Sequence, residues 1–556
     1  MGQPKDVARS VWIRSQVQPT RLADDDERIA LQWTLLRISC GRFQTRNVDR
    51  RLSGPLRPVG NADRRNPARH KNPGRRTIHG DEHMKPQFQA DPFRPHAISK
   101  ADQIPATRYY DPEFFQLEQL RLWPRVWQMA CRFEELRDDG DFVEYRLLDQ
   151  SFIIVRVDRH TIKAYENTCR HRGMRLCEDR GNANKGFNCP FHGWHWSTSG
   201  DCVRVFQQSY FNDETIRAAD IRLKAVRCEI WGGFVFINQN PDAAPLRESL
   251  GTFAPMHEAR NVDQLHARFW IAVRVPANWK ATLEAFMESY HVSRTHPQLM
   301  AALDSPVDDA ESAASNGANT AQAVRYASYR NGREVITGNI SYLKNLSEGM
   351  GHAMVIERDI EVAERIRDID IPEDPALAGI AWRRALNDAI YQEGLRLGLP
   401  MPDLNSLPDE LNSPVNYAFP NFFLLPFFGN MASYRVRPLT TETSLMEIWG
   451  LEFFPPGAEP PRLTTPKVLE IGDPEIPLIP AQDFVNLPRQ QDGMHAAGFD
   501  VLRLASSNEG LLSNYQRLID GYIQGVSEKD LLQGITKVSG PIDAPIKDLG
   551  LPMSGL

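Results

Sequence analysis

Seven cysteines in 556 residues are too few, and odd in number, for a disulfide scaffold. No apolar run approaches the ~18 residues of a membrane span; the candidate Phe422 to Phe428 is short and broken by Pro426. No Gly-rich dinucleotide fingerprint opens a βαβ unit, since Gly429 and Gly232–Gly233 are isolated turn signals. No basic start followed by an apolar segment marks a secretory signal. What is present is ordinary globular composition, with 41% hydrophobic residues and a net charge of −6. That excludes disorder throughout and leaves chain for roughly 3 to 4 domains at ~150 residues each.

The charge is uneven. Residues 1–83 hold 15 Arg and 2 Lys against 9 acids, a balance of +8, so the remaining residues carry −14. The acidic run Asp24–Asp25–Asp26–Glu27 interrupts any nucleic-acid-binding arm and speaks against an organelle transit peptide. The segment reads as a disordered extension or an upstream start, with Met84 as an alternative first residue. No nucleic-acid or membrane partner is expected, and the expected location is cytoplasmic.

From residue 88 the pattern is globular. Phe114, Phe115, Leu117, Leu120, Leu122 and Trp123 have helix-like spacing after Tyr109–Glu113. From Phe142 to Val157 the residues are β-branched and aromatic, with a turn at Asp149–Gln150–Ser151, and short strands follow at Lys163–Tyr165 and Gly232–Ile237. Asp308–Ala321, rich in Ala, Ser and Asn, reads as a loop. Beyond Trp270, strand-like runs (Phe422–Leu425, Tyr434–Val436, Leu445–Phe454) alternate with helical ones (Glu361–Arg367, Ala381–Leu397). That mixture predicts an α+β domain around an antiparallel sheet.

Two constellations carry chemistry. In the first, Cys169-x-His171 is followed by a gap and then Cys189-x-x-His192, each pair on a Gly-bearing turn. Two thiolates and two imidazoles can bind zinc, or a [2Fe–2S] cluster in which two His replace two Cys on one iron. In the cluster, both thiolates reach one iron and both imidazoles the other. Two loops meeting tip to tip, each with one Cys and one His, satisfy that; a C₂H₂ finger pairs like with like along the chain. His195 is expected to be structural, and Cys40, Cys131, Cys177, Cys202 and Cys228 to be incidental thiols.

In the second, Asn278-Trp279-Lys280 leads into Glu284-x3-Glu288-x2-His291-x4-His296. A continuous helix would put positions 284, 288 and 291 on one face. Two close imidazoles plus one distant carboxylate form the 2-His-1-carboxylate triad of non-haem Fe(II) oxygenases, with positions open for O₂ and substrate. The zincin pattern H-E-x-x-H is absent. A solvated amphipathic helix is the bland alternative.

Cys169-Arg170-His171-Arg172-Gly173 and Cys189-Pro190-Phe191-His192-Gly193-Trp194 resemble the Rieske family. Pro190 and Phe191 stand where high-potential respiratory members carry an extra Cys, so the chain resembles the lower-potential oxygenase type. With the second motif, residues 95–530 resemble the α subunit of Rieske non-haem iron oxygenases of the aromatic-ring-hydroxylating kind. The resemblance implies an all-β [2Fe–2S] domain at 125–240, inserted before a catalytic domain at 241–530 with a central antiparallel sheet flanked by helices. Residues 84–124 would be a helical part of the catalytic domain and 531–556 a C-terminal tail.

The resemblance also assigns roles. Cys169, His171, Cys189 and His192 would hold the cluster, and His291, His296 and Asp483 the mononuclear Fe(II). Asp483 is chosen before Gln491-Asp492-Gly493, with Asp492 and Asp500 as competitors; Pro488 stands where the family usually has Glu. Glu288, where Asp is usual, would bridge to His192 of a neighbouring subunit and relay protons or orient imidazoles. A homotrimer follows, with an added β subunit as an option. Electrons would come from an NAD(P)H reductase, directly or through a ferredoxin; Arg170, Arg172 and Arg175 near the cluster would meet an acidic ferredoxin, with solvated loop arginines as the alternative.

Phe286, Met287, Phe422, Phe423, Phe427 and Phe428 suit a pocket for an aromatic or polycyclic substrate, and core packing explains most of them equally well. The expected reaction is O₂-dependent hydroxylation, cis-dihydroxylation first, with monooxygenation or O-demethylation as the alternative. A [2Fe–2S] electron carrier without oxygenase activity is the rival from another class, and a zinc-dependent binding or scaffold protein a third.

Overall fold

The computed structural model describes residues 93–300 and 329–551. The basic N-terminal segment with Met84 and Cys40, and the stretch 308–321, lie outside the described residues.

One seven-stranded sheet runs in the order Gln128–Arg132, Phe234–Asn238, Ala225–Trp231, Thr161–Glu166, Gln150–Asp158, Asp141–Leu147, Arg180–Asn182, with every neighbour antiparallel. Its two faces serve different cores because strand side chains alternate. In Gln150–Asp158, Phe152 and Ile154 enter the large core shared with the rest of the chain. Ile153 and Val155 point to the other face, into a smaller core containing Cys169, Cys189, Trp194 and Trp196. A run buried on both faces therefore reads as continuously apolar. A second sheet of three short strands, Phe187–Asn188, His195–Trp196 and Cys202–Arg204, completes the support under the two Cys/His loops.

The second large sheet has the order Lys467–Leu469, His266–Val275, Thr443–Glu452, Met431–Thr440, Phe422–Pro426, Asn416–Ala418, Gly540–Pro541. Only the pairing of Lys467–Leu469 with His266–Val275 is parallel. The helices Gly332–Gly349, Glu357–Arg365, Pro375–Arg396, Leu478–Met494, Gly510–Ile523 and Glu528–Val538 accompany it. The fold is thus an all-β unit followed by a mixed α+β unit with a mainly antiparallel sheet, as the sequence pattern predicts. Phe422 packs edge-on against Phe234, Phe236 and Phe253, so it joins the two units and is a core residue.

Two segments differ from expectation. The region expected as a tail is structural: Glu528–Val538 packs Leu531 into the core, and Gly540–Pro541 pairs with Asn416–Ala418 at the sheet edge. The N-terminal part is only partly helical, because Gln103–Pro105 forms a two-stranded sheet with Val501–Arg503. Its helix Pro112–Leu117 starts where Asp111 caps Glu113 and Pro112 takes the first turn.

Every residue of Gly510–Ile523 is buried, polar ones included. Asp520 pairs with Arg108 at 2.6 Å, and Gln516 accepts from Arg108 and donates to Glu284. Buried polar groups persist when partnered in this way.

Candidate functional site

The two Cys/His loops share one backbone pattern. Cys169 N–H donates to the Met174 carbonyl at 2.7 Å and Gly173 N–H to the Cys169 carbonyl at 3.0 Å; Cys189 with Trp194 and Gly193 with Cys189 repeat this at 2.8 and 3.0 Å. Gly173 (φ +76°) and Gly193 (φ +67°) turn through the left-handed region. A Cβ at either would meet nothing within 4 Å, so conformation rather than crowding favours glycine there.

The loops bring the two thiols together and the two imidazoles together. Both thiols are buried, and the Cys189 thiol lies beside that of Cys169. Burial pushes the Cys169 thiol up, and Cys189 adds to it, so a buried thiolate pair calls for a cation. The His171 and His192 ring centroids are 4.7 Å apart. His171 stacks on Trp194 at 5.0 Å, which fixes its plane. Burial and the neighbouring His192 and Arg172 hold His171 below its usual pKa, favouring the neutral ligating form. Its Nδ1 is buried without a hydrogen-bond partner, as a nitrogen reserved for a metal would be. The donor set therefore fits a [2Fe–2S] cluster with mixed ligation.

His195 sits apart from the loop tips, in a strand paired with Asn188 and against Gly186. Of the three arginines near the loops, Arg175 pairs with Glu178, Arg172 covers the Phe191 ring at 5.2 Å, and Arg170 is exposed.

The second constellation is built differently from the continuous helix its spacing suggests. Asn278 caps a helix that runs only over Trp279–Glu284. Glu284 faces away into a buried network, accepting from Tyr109 Oη at 2.8 Å and from Gln516. The chain then turns, and a short helix Val292–Thr295 separates the two histidines. Glu284 and Glu288 therefore do not share a face.

Asp483 comes from the buried face of Leu478–Met494. Its Oδ1 lies 3.3 Å from His296 Nε2 and 3.7 Å from His291 Nε2. One donor atom from each of the three residues falls within 4.8 Å of the others, and the group is the only such one of three or more among the described residues. Asp492 and Asp500 are exposed and outside it. Two imidazole nitrogens and one carboxylate match the donor set used for Fe(II).

Each imidazole is held by its other nitrogen. Glu288 Oε1 lies 2.6 Å from His291 Nδ1, and Glu288 Oε2 accepts the His291 backbone N–H at 3.0 Å. Burial pulls His291 down, but the hydrogen bond and charge of Glu288, together with Asp483, outweigh it and hold the imidazole above its usual pKa. Gln482 Oε1 lies 2.8 Å from His296 Nδ1.

Sequence reasoning missed Gln482 as a holder of His296; its position next to Asp483 was the only signal. It also missed Asp543, which accepts the Ser289 N–H at 2.8 Å from the supposed tail. Burial and the charge of Glu288 raise the Asp543 carboxyl, and the same causes raise Glu509.

Tyr434 is buried beside Asp483; burial and that carboxylate push its phenol far up. Its hydroxyl reaches Met350 Sδ at 3.8 Å, and Phe286 meets its ring edge-on at 5.0 Å. Phe423 lies 6.4 Å beyond Phe286. Phe427 and Phe428 pack on each other edge-on at 4.8 Å and belong to the same core as Phe423 and Tyr434.

Residues 126–213 match the Rieske [2Fe-2S] domain, and residues 262–525 match the ring hydroxylating alpha subunit (catalytic domain). The chain belongs to the Rieske oxygenase family, with an iron–sulfur domain followed by the catalytic domain that binds a mononuclear iron. The carnitine monooxygenase oxygenase subunit of Escherichia coli (strain K12) is 31% identical over 196 residues, 35% of this chain and 52% of that protein. The benzene 1,2-dioxygenase subunit alpha of Pseudomonas putida is 31% identical over 205 residues, 35% of this chain and 44% of that protein. The chain spans about half the length of the curated relatives it matches. A naphthalene 1,2-dioxygenase variant bound to phenanthrene shares the fold, with a TM-score of 0.51 at 18% identity, over 79% of this chain and 96% of that one. Among the described residues no helix is long and apolar enough to cross a membrane.

Proposed function

We propose that this chain is an oxygenase subunit that hydroxylates an apolar aromatic or polycyclic compound with O₂. The observation that carries the reading is the convergence of His291, His296 and Asp483, with both imidazoles held by their outer nitrogens. Cys169, His171, Cys189 and His192 would hold the cluster and His291, His296 and Asp483 the iron. When bound, the cluster supplies single electrons and the iron, with open coordination positions, activates O₂.

The chain's own residues do the rest. Glu288 orients His291 and is placed to hold a proton at Oε1. Phe286, Tyr434 and Met350 give the triad an apolar side, which suits a ring and excludes water. The partition into a cluster domain at 125–240 and a catalytic domain at 241–530 belongs to this proposal, with 531–541 taken into the catalytic fold.

The partners proposed are an NAD(P)H reductase, with or without a ferredoxin, and two further copies of the chain. In such a ring Glu288 of one copy would face His192 of the next. A monooxygenase is the second reading, favoured by the similarity to carnitine monooxygenase.

The test is a single turnover of the reduced, iron-loaded protein with naphthalene or biphenyl under ¹⁸O₂. Two labelled oxygens on adjacent ring carbons are expected for dihydroxylation, and one for the second reading. Cluster oxidation with no label in any product would leave only an electron carrier.

A further inference from the structure

The two histidines of the triad are held by different chemistry. His291 faces a carboxylate, Glu288, whereas His296 faces a neutral amide, Gln482. The Gln482 amide is itself fixed. Its Oε1 accepts from Gln298 Nε2 at 2.8 Å, and its Nε2 donates to Gln298 Oε1 at 3.1 Å. Gln298 in turn sits on the short helix Pro297–Met300, whose backbone is anchored where Asn345 Nδ2 donates to the Gln298 carbonyl at 2.8 Å.

A reciprocal amide pair has two self-consistent arrangements. In the one present, Gln482 offers oxygen to His296, so Nδ1 carries the proton and Nε2 is a bare lone pair facing Asp483. With both amides turned over, Gln482 would donate to Nδ1 and the proton would move to Nε2. That nitrogen could not ligate a metal.

We propose that Gln482 is a positioning residue which, locked by Gln298, keeps His296 in the tautomer that ligates a metal. The proposal rests on the assignment of His291, His296 and Asp483 as metal ligands. It concerns metal affinity, and it predicts that an acceptor at position 482, rather than an amide as such, is what matters.

The test uses the full chain with its cluster intact and the mononuclear metal removed. Anaerobic Fe(II) rebinding is measured by equilibrium dialysis, and the visible absorption of the cluster reports that each variant is folded. Gln482→Leu removes the acceptor and is expected to weaken Fe(II) binding about 10–100-fold. Gln482→Glu restores an acceptor for Nδ1–H and is expected to bind Fe(II) at least as tightly as the unaltered chain. Unchanged affinity in Gln482→Leu would overturn the proposal, as would equal weakening in both variants. If Gln482→Leu fails to fold, Gln482→Glu decides alone: affinity retained supports an acceptor role and affinity lost overturns it. Failure of the unaltered chain to bind Fe(II), or unchanged binding in Asp483→Ala, would instead refute the ligand assignment.

Discussion

Glu288 holds His291 twice, through Nδ1 at 2.6 Å and through the backbone N–H at 3.0 Å. The Glu288 stem folds back on its own loop and reaches the ring. Its side chain remains about one-tenth exposed. One carboxylate thus sets both the turn and the imidazole.

Replacing it separates these duties. Glu288→Gln keeps the side chain's length and an acceptor but removes the charge. The variant is expected to retain mononuclear iron while reoxidation of the cluster by O₂ plus substrate slows about 10–100-fold, as followed by stopped-flow absorption. Equal rates in the two proteins would remove Glu288 from the electron path.

Asp543 reaches the same turn from the C-terminal segment. Its bond to Ser289 N–H requires only an acceptor. Asp543→Asn should therefore keep iron content near that of the unaltered chain, and Asp543→Ala should lower it several-fold. Loss in both would mean that the negative charge, not the hydrogen bond, supports the site.

Beneath the site, Lys280 and Glu118 form a fully buried pair at 2.7 Å, with Lys280 about 5.3–5.5 Å from the rings of Tyr109, Phe114 and Trp279. Glu118→Ala leaves an uncompensated buried cation and should destabilise the fold by about 3–5 kcal/mol in urea unfolding. A change under about 1 kcal/mol would show that the pair is not structurally important.

Glu284 gives a pH prediction. Burial pushes its carboxyl up to about 7, although Gln516 and Tyr109 donate to it. The native state therefore holds a proton that the unfolded chain releases near the ordinary Glu value. This contribution is present below about pH 4.5 and is lost as pH rises to about 7. Between those values the unaltered chain should lose stability relative to Glu284→Gln as pH increases. Parallel melting-temperature profiles for the two proteins would contradict that.

The local parts of the sites were legible in the sequence. Cys169, His171, Cys189 and His192 lie on short Gly-bearing loops whose geometry depends on few outside contacts. His291 and His296 were legible as two imidazoles close together in the sequence, before Pro297. The break after Glu284 was not, because Phe286 and Met287 continue a helical pattern. What ends the helix's face is a partnership of Glu284 with Tyr109 and Gln516, from opposite ends of the chain. Gln482 and Asp543 were missed likewise: an amide and a carboxylate become informative only when folding sets them against His296 and Ser289. Phe422 was legible as apolar, but only the packing against Phe234 makes it core rather than pocket.

The central claim is that one chain holds two separate iron sites through these seven residues. Iron and acid-labile sulfide per chain, measured in the unaltered protein and in Asp483→Ala, test it most directly. The account predicts about three irons and two sulfides in the first, and about two irons and two sulfides in the second. Zinc without sulfide, or three irons in both proteins, would contradict it.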